Sequence, residues 1–133
     1  MKEKLKELLK NSQSPYYNYQ VASILVTKDN KEHKGVNVET SSPGAGICAE
    51  RVALYSAIAN GYKKGDFREI HIMSKGQSFP CFICRQTLND YCDLDTKIIS
   101  YNIEGEIKET TVEELCVYPF NDGDMKWEVG LLV

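Results

Sequence analysis

Two short segments carry the residue types most able to do chemistry: Cys48-Ala49-Glu50-Arg51 and, further on, Pro80-Cys81-Phe82-Ile83-Cys84-Arg85. Cys81 and Cys84 are three apart, so within one helical turn they share a face. Cys48 opens a second helical pattern. Helix N-termini favour thiolates through the macrodipole and the free N–H groups of the first turn. Three thiolates suit Zn²⁺ and leave its fourth position to water, the mark of a catalytic rather than a structural site. A structural site needs a fourth protein ligand, and Cys92, Cys116, His33 and His71 all stand away from zinc-knuckle spacing. Three thiolates leave the site with a net charge of −1, which weakens the metal as a Lewis acid. Arg51 and Arg85 each lie within a turn of a cysteine and are expected to offset that charge. Zinc brings a bound water's pKa to about 7. Glu50, beside Cys48, is the expected proton carrier between that water and a leaving group.

Positioning three cysteines from two helix starts requires a particular order of elements. Lys2–Leu9 has Leu5, Leu8 and Leu9 at helical spacing. Val21–Thr27 is a β-rich apolar run, Lys28-Asp29-Asn30-Lys31 a turn, and 34–38 its hairpin partner. A loop rich in Ser, Gly and Pro follows. The stretch 48–60 reads as a strong helix, and Gly61 stops it. The stretch 69–74 reads as a strand, 81–91 as a helix, Lys97–Asn102 as a strand and 106–110 as a fifth strand. Thr111 with Glu114 forms a capping-box pattern for a last short helix. The tail from Pro119 receives no assignment. Helices alternating with strands after a hairpin predict a layered α/β domain with a mixed sheet. With no repeat, linker or low-complexity tract, residues 1–133 read as one domain.

Composition narrows the partners. The net charge is −3, and basic residues are interleaved with acids, which argues against a nucleic-acid polymer as partner. No apolar run is long enough to span a bilayer, and the charged N-terminus has no signal-peptide core, so a cytoplasmic location is expected. Five cysteines, an odd number, make a disulfide framework a poor reading and reduced, metal-binding thiols a better one. Cys92 and Cys116 read as packing residues. His33, near a turn, reads as exposed; His71, between Ile70 and Ile72, reads as facing solvent or a helix.

A Cys-led ligand, an adjacent Glu and a later Pro-Cys-x-x-Cys form the zinc-deaminase pattern. The chain resembles the small, homo-oligomeric cytidine deaminases over nearly its full length. Pro15-Tyr16-Tyr17-Asn18-Tyr19-Gln20-Val21, Asn37-Val38-Glu39, the two cysteine segments and Thr111-Val112-Glu113-Glu114-Leu115 carry the resemblance. It implies a three-layer α/β/α sandwich with a five-stranded mixed sheet. It also implies hydrolysis of cytidine or deoxycytidine to the uridine product and ammonia in pyrimidine salvage, with one zinc and a small-molecule nucleoside as partner. Ribose hydroxyls would fall to Asn37 and Glu39, and the substrate would also meet Tyr19 and Ala49. Phe120 would reach a neighbouring subunit's site in a homotetramer with shared active sites. Two departures stand out: Val21-Ala22-Ser23-Ile24 where the family usually has Val-Gly-Ala-Ala, and Pro43 where it usually has a loop Tyr. Val21-Ala22-Ser23 and Gly35-Val36-Asn37-Val38 also resemble blasticidin S deaminases, so another cytosine nucleoside is an alternative substrate. A zinc-stabilised binding module without catalysis would leave Glu50 without a role.

Overall fold

A computed structural model describes residues 1–125. Helix α1 is Lys2–Leu9, followed by β1 (Val21–Thr27) and β2 (Glu32–Val36). Helix α2 (Ala49–Ala59) leads to β3 (Phe67–Ser74), and α3 (Phe82–Tyr91) to β4 (Lys97–Asn102). Strand β5 (Ile107–Thr111) runs into the short α4 (Val112–Leu115). The five strands form one sheet in the order β2-β1-β3-β4-β5. Among the described residues only strands β3 and β4 pair in parallel; the other three strand pairings are antiparallel, so the sheet is mixed as expected.

Each face of the sheet has its own core, which makes the three layers. Leu25, Ile70, Ile72 and Ile98 pack with Leu54 of α2 and Leu88 of α3 on one face. Ala22, Ile24, Val26 and Met73 pack with Leu5 of α1 on the other. Period-two alternation along β1 sends successive side chains to opposite cores, which is why its burial is continuous.

Strand β2 starts and ends two residues earlier than the expected 34–38. The cause is backbone pairing beyond the ladder. Val38 exchanges hydrogen bonds with Ile47 at 3.0 Å, and Glu39 N–H donates to the Gln13 carbonyl at 2.8 Å. The chain therefore leaves β1 at the point where Asn37 and Glu39 must face a cavity. His33 and His71 are buried, against the exposed reading of the first. His33 packs edge-on against Tyr62, with ring centroids 4.9 Å apart. His71 Nδ1 lies 2.8 Å from the Tyr101 hydroxyl on the neighbouring strand.

Both helices that carry the cysteines begin at them. Cys48 is the N-cap of α2 and Cys81 the N-cap of α3. The start of α2 lies directly on β2. A Cβ on Gly35 would sit 2.3 Å from the Ala49 carbonyl oxygen and 2.5 Å from the Ala53 nitrogen, both backbone atoms that cannot swing aside. Gly61, at φ 98°, ends the helix in the left-handed region that a glycine tolerates. Gly35→Ala is expected to lower stability by about 1–3 kcal/mol, the usual cost of overpacking, read as a lower urea midpoint at unchanged m-value.

Candidate active site

The three sulfurs expected to bind metal come together. The Sγ atoms of Cys48, Cys81 and Cys84 all lie within 4.8 Å of one another, with Cys48 and Cys81 separated by 3.6 Å. Ligands 2.3 Å from a tetrahedral zinc stand about 3.8 Å apart, so the donor set fits that ion in number, type and spacing. Cys92 is buried in the α3-side core, where burial pushes its thiol up to about 12. It supplies no fourth ligand, and neither does Cys116, so the cluster remains a set of three among the described residues.

The surroundings favour negative sulfur. The Cys84 sulfur lies within 4.8 Å of Cys48 Sγ, and the Arg51 guanidinium stands 3.8 Å from the same Cys48 sulfur. Together they hold Cys48 down to about 5 against the opposing effect of burial. The neighbouring Cys84 thiol is shifted upward, first by its closeness to Cys48 and then by burial. Arg85 is placed differently from Arg51. Its Nε donates to the Pro80 carbonyl at 2.7 Å and one terminal nitrogen to the Leu115 carbonyl at 3.2 Å. It therefore ties the peptide just before Cys81 to the end of α4. Glu50 is 4% exposed, and burial followed by the Cys48 charge pushes its carboxyl up to about 7.

A cavity of about 640 Å³ opens over the cluster, within the size range of small-molecule sites. Cys48, Ala49 and Glu50 line its floor side, and Tyr19, Asn37 and Glu39 also line it. Pro43, in a single 3₁₀ turn at Pro43–Ala45, contributes to the rim. Asn37 is heavily engaged. Its Oδ1 accepts from Val21 N–H at 2.8 Å and from the Ser12 hydroxyl, and its Nδ2 donates to the Tyr19 carbonyl at 2.8 Å. Glu39 accepts from the Ser14 hydroxyl and from the N–H groups of Tyr16 and Tyr17, at 2.9 and 3.1 Å. These hydrogen bonds lower its carboxyl despite the cost of desolvation.

Phe120 stands apart from the cavity wall. The residue is 56% exposed, and the Gln86 side-chain amide binds its backbone N–H and carbonyl, at 3.1 and 2.5 Å. The chain beyond Met125 lies outside the described residues. Sequence reasoning missed Ser12, Ser14, Ser74 and Ser78, whose hydroxyls bind the groups that form the cavity. Serines in loops carry no spacing rule, and only the hydrogen-bond partners reveal them.

Each of Cys48→Ala, Cys81→Ala and Cys84→Ala is expected to lose most of the roughly one equivalent of zinc that the intact three-sulfur site should hold. Elemental analysis of purified, dialysed protein checks this. Cys92→Ala and Cys116→Ala are expected to keep the metal.

The chain is similar to known proteins. The family model described as "Cytidine and deoxycytidylate deaminase zinc-binding region" matches residues 1–100. A cytidine deaminase of Halalkalibacterium halodurans is 37% identical over 111 residues, 84% of each chain. A blasticidin-S deaminase of Bacillus cereus is 29% identical over 110 residues, 73% of this chain and 74% of that relative. The crystal structure of cytidine deaminase from Burkholderia pseudomallei superposes with a TM-score of 0.85 at 35% identity, covering 89% of this chain and 94% of the other. The match to the zinc-binding region spans both cysteine segments, and three sulfurs at zinc spacing lie where those segments meet. The chain belongs to the zinc-dependent cytidine and deoxycytidylate deaminase family.

Proposed function

We propose that this enzyme hydrolyses the 4-amino group of cytidine and deoxycytidine, giving uridine or deoxyuridine and ammonia. One arrangement carries the reading: a buried Glu50 beside a three-sulfur metal site, with Asn37 and Glu39 on the wall of the same cavity. Zinc, when bound, supplies the Lewis acidity that acidifies a water near neutral pH. Glu50 would take a proton from a water at its carboxylate and give it to N3 of the cytosine as the water oxygen bonds to C4. It would then move the remaining hydroxyl proton to the 4-amino nitrogen, so that the C4–N bond breaks, ammonia departs and the C4 carbonyl is left. Atoms balance as nucleoside plus water in, deaminated nucleoside plus ammonia out. Cys48, Cys81 and Cys84 hold the metal, Arg51 offsets their charge, and Arg85 steadies the peptide before Cys81.

Ribose recognition follows from what the wall residues have left. Asn37 keeps one Nδ2 hydrogen after its three intramolecular bonds, and Glu39 keeps one of about four acceptor positions. One donor and one acceptor satisfy a single hydroxyl, which accepts from Asn37 and donates to Glu39. A phosphate there would meet the Glu39 carboxylate with like charge, which favours a free nucleoside. Tyr19 and Ala49 border the base. The higher identity to the cytidine deaminase than to the blasticidin-S deaminase supports the ordinary nucleoside.

We further read residues 1–133 as a single domain working in cytoplasmic pyrimidine salvage, where reduced thiols remain free for metal. The expected assembly is a homotetramer with shared sites. Phe82, Ile83, Tyr118 and Phe120 support it as exposed apolar side chains on and around α3, and subunit packing would enclose the open cavity.

Activity and assembly measurements test the reading. Zinc-loaded protein should lower the absorbance of cytidine, and Glu50→Gln should cut kcat by about 10²–10⁴-fold with zinc content and melting temperature kept. Turnover of blasticidin S with none of cytidine would move the substrate to the alternative. Light scattering should give four protomers, and Phe120→Ala should raise KM for cytidine while zinc content stays near one. An active monomer would remove the shared site and leave the assignment of Glu50 in place.

A further inference from the structure

The two walls of the cavity are joined by hydroxyl groups that neither the zinc chemistry nor the ribose contacts use. The Tyr19 hydroxyl lies 3.2 Å from Ser74 Oγ and also meets Ser78 Oγ. Ser74, fully buried at the end of β3, lies 2.7 Å from Ser78 and donates to the Gly76 carbonyl. With one proton per hydroxyl, Ser78 donates to Tyr19, Tyr19 to Ser74, and Ser74 shares its proton between the Gly76 carbonyl and Ser78 Oγ.

Each end of this set is held. Tyr19 N–H donates to Ser14 Oγ at 2.8 Å, and the Tyr19 carbonyl accepts from Asn37, so the backbone that aims the ring is fixed on both sides. On the far side, loop 75–80 is tied to the sheet. Gln77 Nε2 donates to the Ser100 and Glu106 carbonyls at 3.0 and 3.1 Å, and the Ser100 hydroxyl donates to the Ser78 carbonyl. Ser78 is three residues from Cys81, and Arg85 fixes the Pro80 carbonyl between them. A segment that short and that pinned has little slack.

We propose that the Tyr19 hydroxyl is a positioning group. It clamps loop 75–80, and through that loop Cys81, to the opposite wall of the cavity. Cys81 is the exposed member of the sulfur cluster, while Cys84 is fully buried. Cys84 is buried within α3, whereas Cys81, the N-cap, is held from one side by Arg85 N–H donating to its carbonyl at 2.8 Å and from the other by the loop that delivers it. The clamp therefore sets the spacing between the metal-bearing wall and the wall that faces the substrate. This extends the reading of the cavity as a nucleoside site, and its test does not require that reading to be right.

The experiment uses zinc-loaded full-length protein, with Tyr19→Phe, Ser78→Ala and the double variant. Tyr19→Phe keeps the ring and removes only the hydroxyl. The first readout is the rate of zinc transfer to a chromogenic chelator, which involves no nucleoside. Each single variant should release zinc about five- to tenfold faster, the scale of one net hydrogen bond. The double variant should be no faster than the faster single, because both changes cut one clamp. Melting temperatures should move little, since a role confined to general stability would shift them and leave relative zinc release unchanged. The second readout is kinetics on cytidine, where KM should rise in both singles by a similar factor. Zinc release at the wild-type rate in Tyr19→Phe overturns the proposal, as do two single effects that multiply in full in the double variant. Absence of cytidine turnover in the unmutated protein would instead refute the proposed substrate, and the zinc-release comparison would still decide the clamp.

Discussion

Three cysteine sulfurs stand within 4.8 Å of one another, and holding them there shapes everything around them. As thiolates they repel, and in a half-buried site water does little to screen them. The fold answers with three sources of positive potential. The N-terminus of α2 lies at Cys48, that of α3 lies at Cys81, and the Arg51 guanidinium stands beside Cys48. Zinc supplies the remainder when bound. None of these works unless two helix starts, separated in sequence by a helix and a strand, meet on one side of the sheet.

The sheet provides that meeting. Strands β1, β3 and β4 stand side by side, and the chain passes from β2 into α2 and from β3 into α3 on the same face. Close packing of Gly35 on the first turn of α2 sets the depth at which Cys48 and Glu50 enter the cavity. The same turn buries Glu50 and raises its carboxyl, so one packing contact places both a ligand and the proposed proton carrier. The opposite wall is built from hydrogen bonds rather than apolar packing. Asn37 and Glu39 spend most of their capacity on Val21, Tyr19, Ser14 and the turn at Tyr16 and Tyr17. A wall held this way presents its last donor and acceptor in fixed directions, which serves recognition better than a free side chain would.

Much of this was legible in the sequence. Cys48, Glu50, Cys81 and Cys84 could be read as a metal and proton-transfer set, because residue type and helical spacing together leave few other uses. The main helices and strands followed from apolar periodicity, and the Thr111 cap appears with Glu114 N–H donating to Thr111 Oγ1 at 3.3 Å. The errors lie where partners distant in sequence decide the outcome. Strand β2 ends early because Val38 and Glu39 pair with Ile47 and Gln13, and no local pattern announces those bridges. His33 is buried because Tyr62, far along the chain, supplies a ring to pack against.

The order of residues names the atoms available for chemistry: three soft sulfurs, one adjacent carboxylate and the helix starts that carry them. That information is local, since ligand identity and helical phase are properties of a few consecutive residues. The packed fold alone reveals which arginine touches sulfur, how much capacity Asn37 and Glu39 retain, and that Tyr19 reaches Ser74 and Ser78. Each of these is a contact between segments brought together by the sheet. A hydrogen bond depends on distances of a few tenths of an ångström, and the order of residues along the chain does not encode such distances until the two cores have packed.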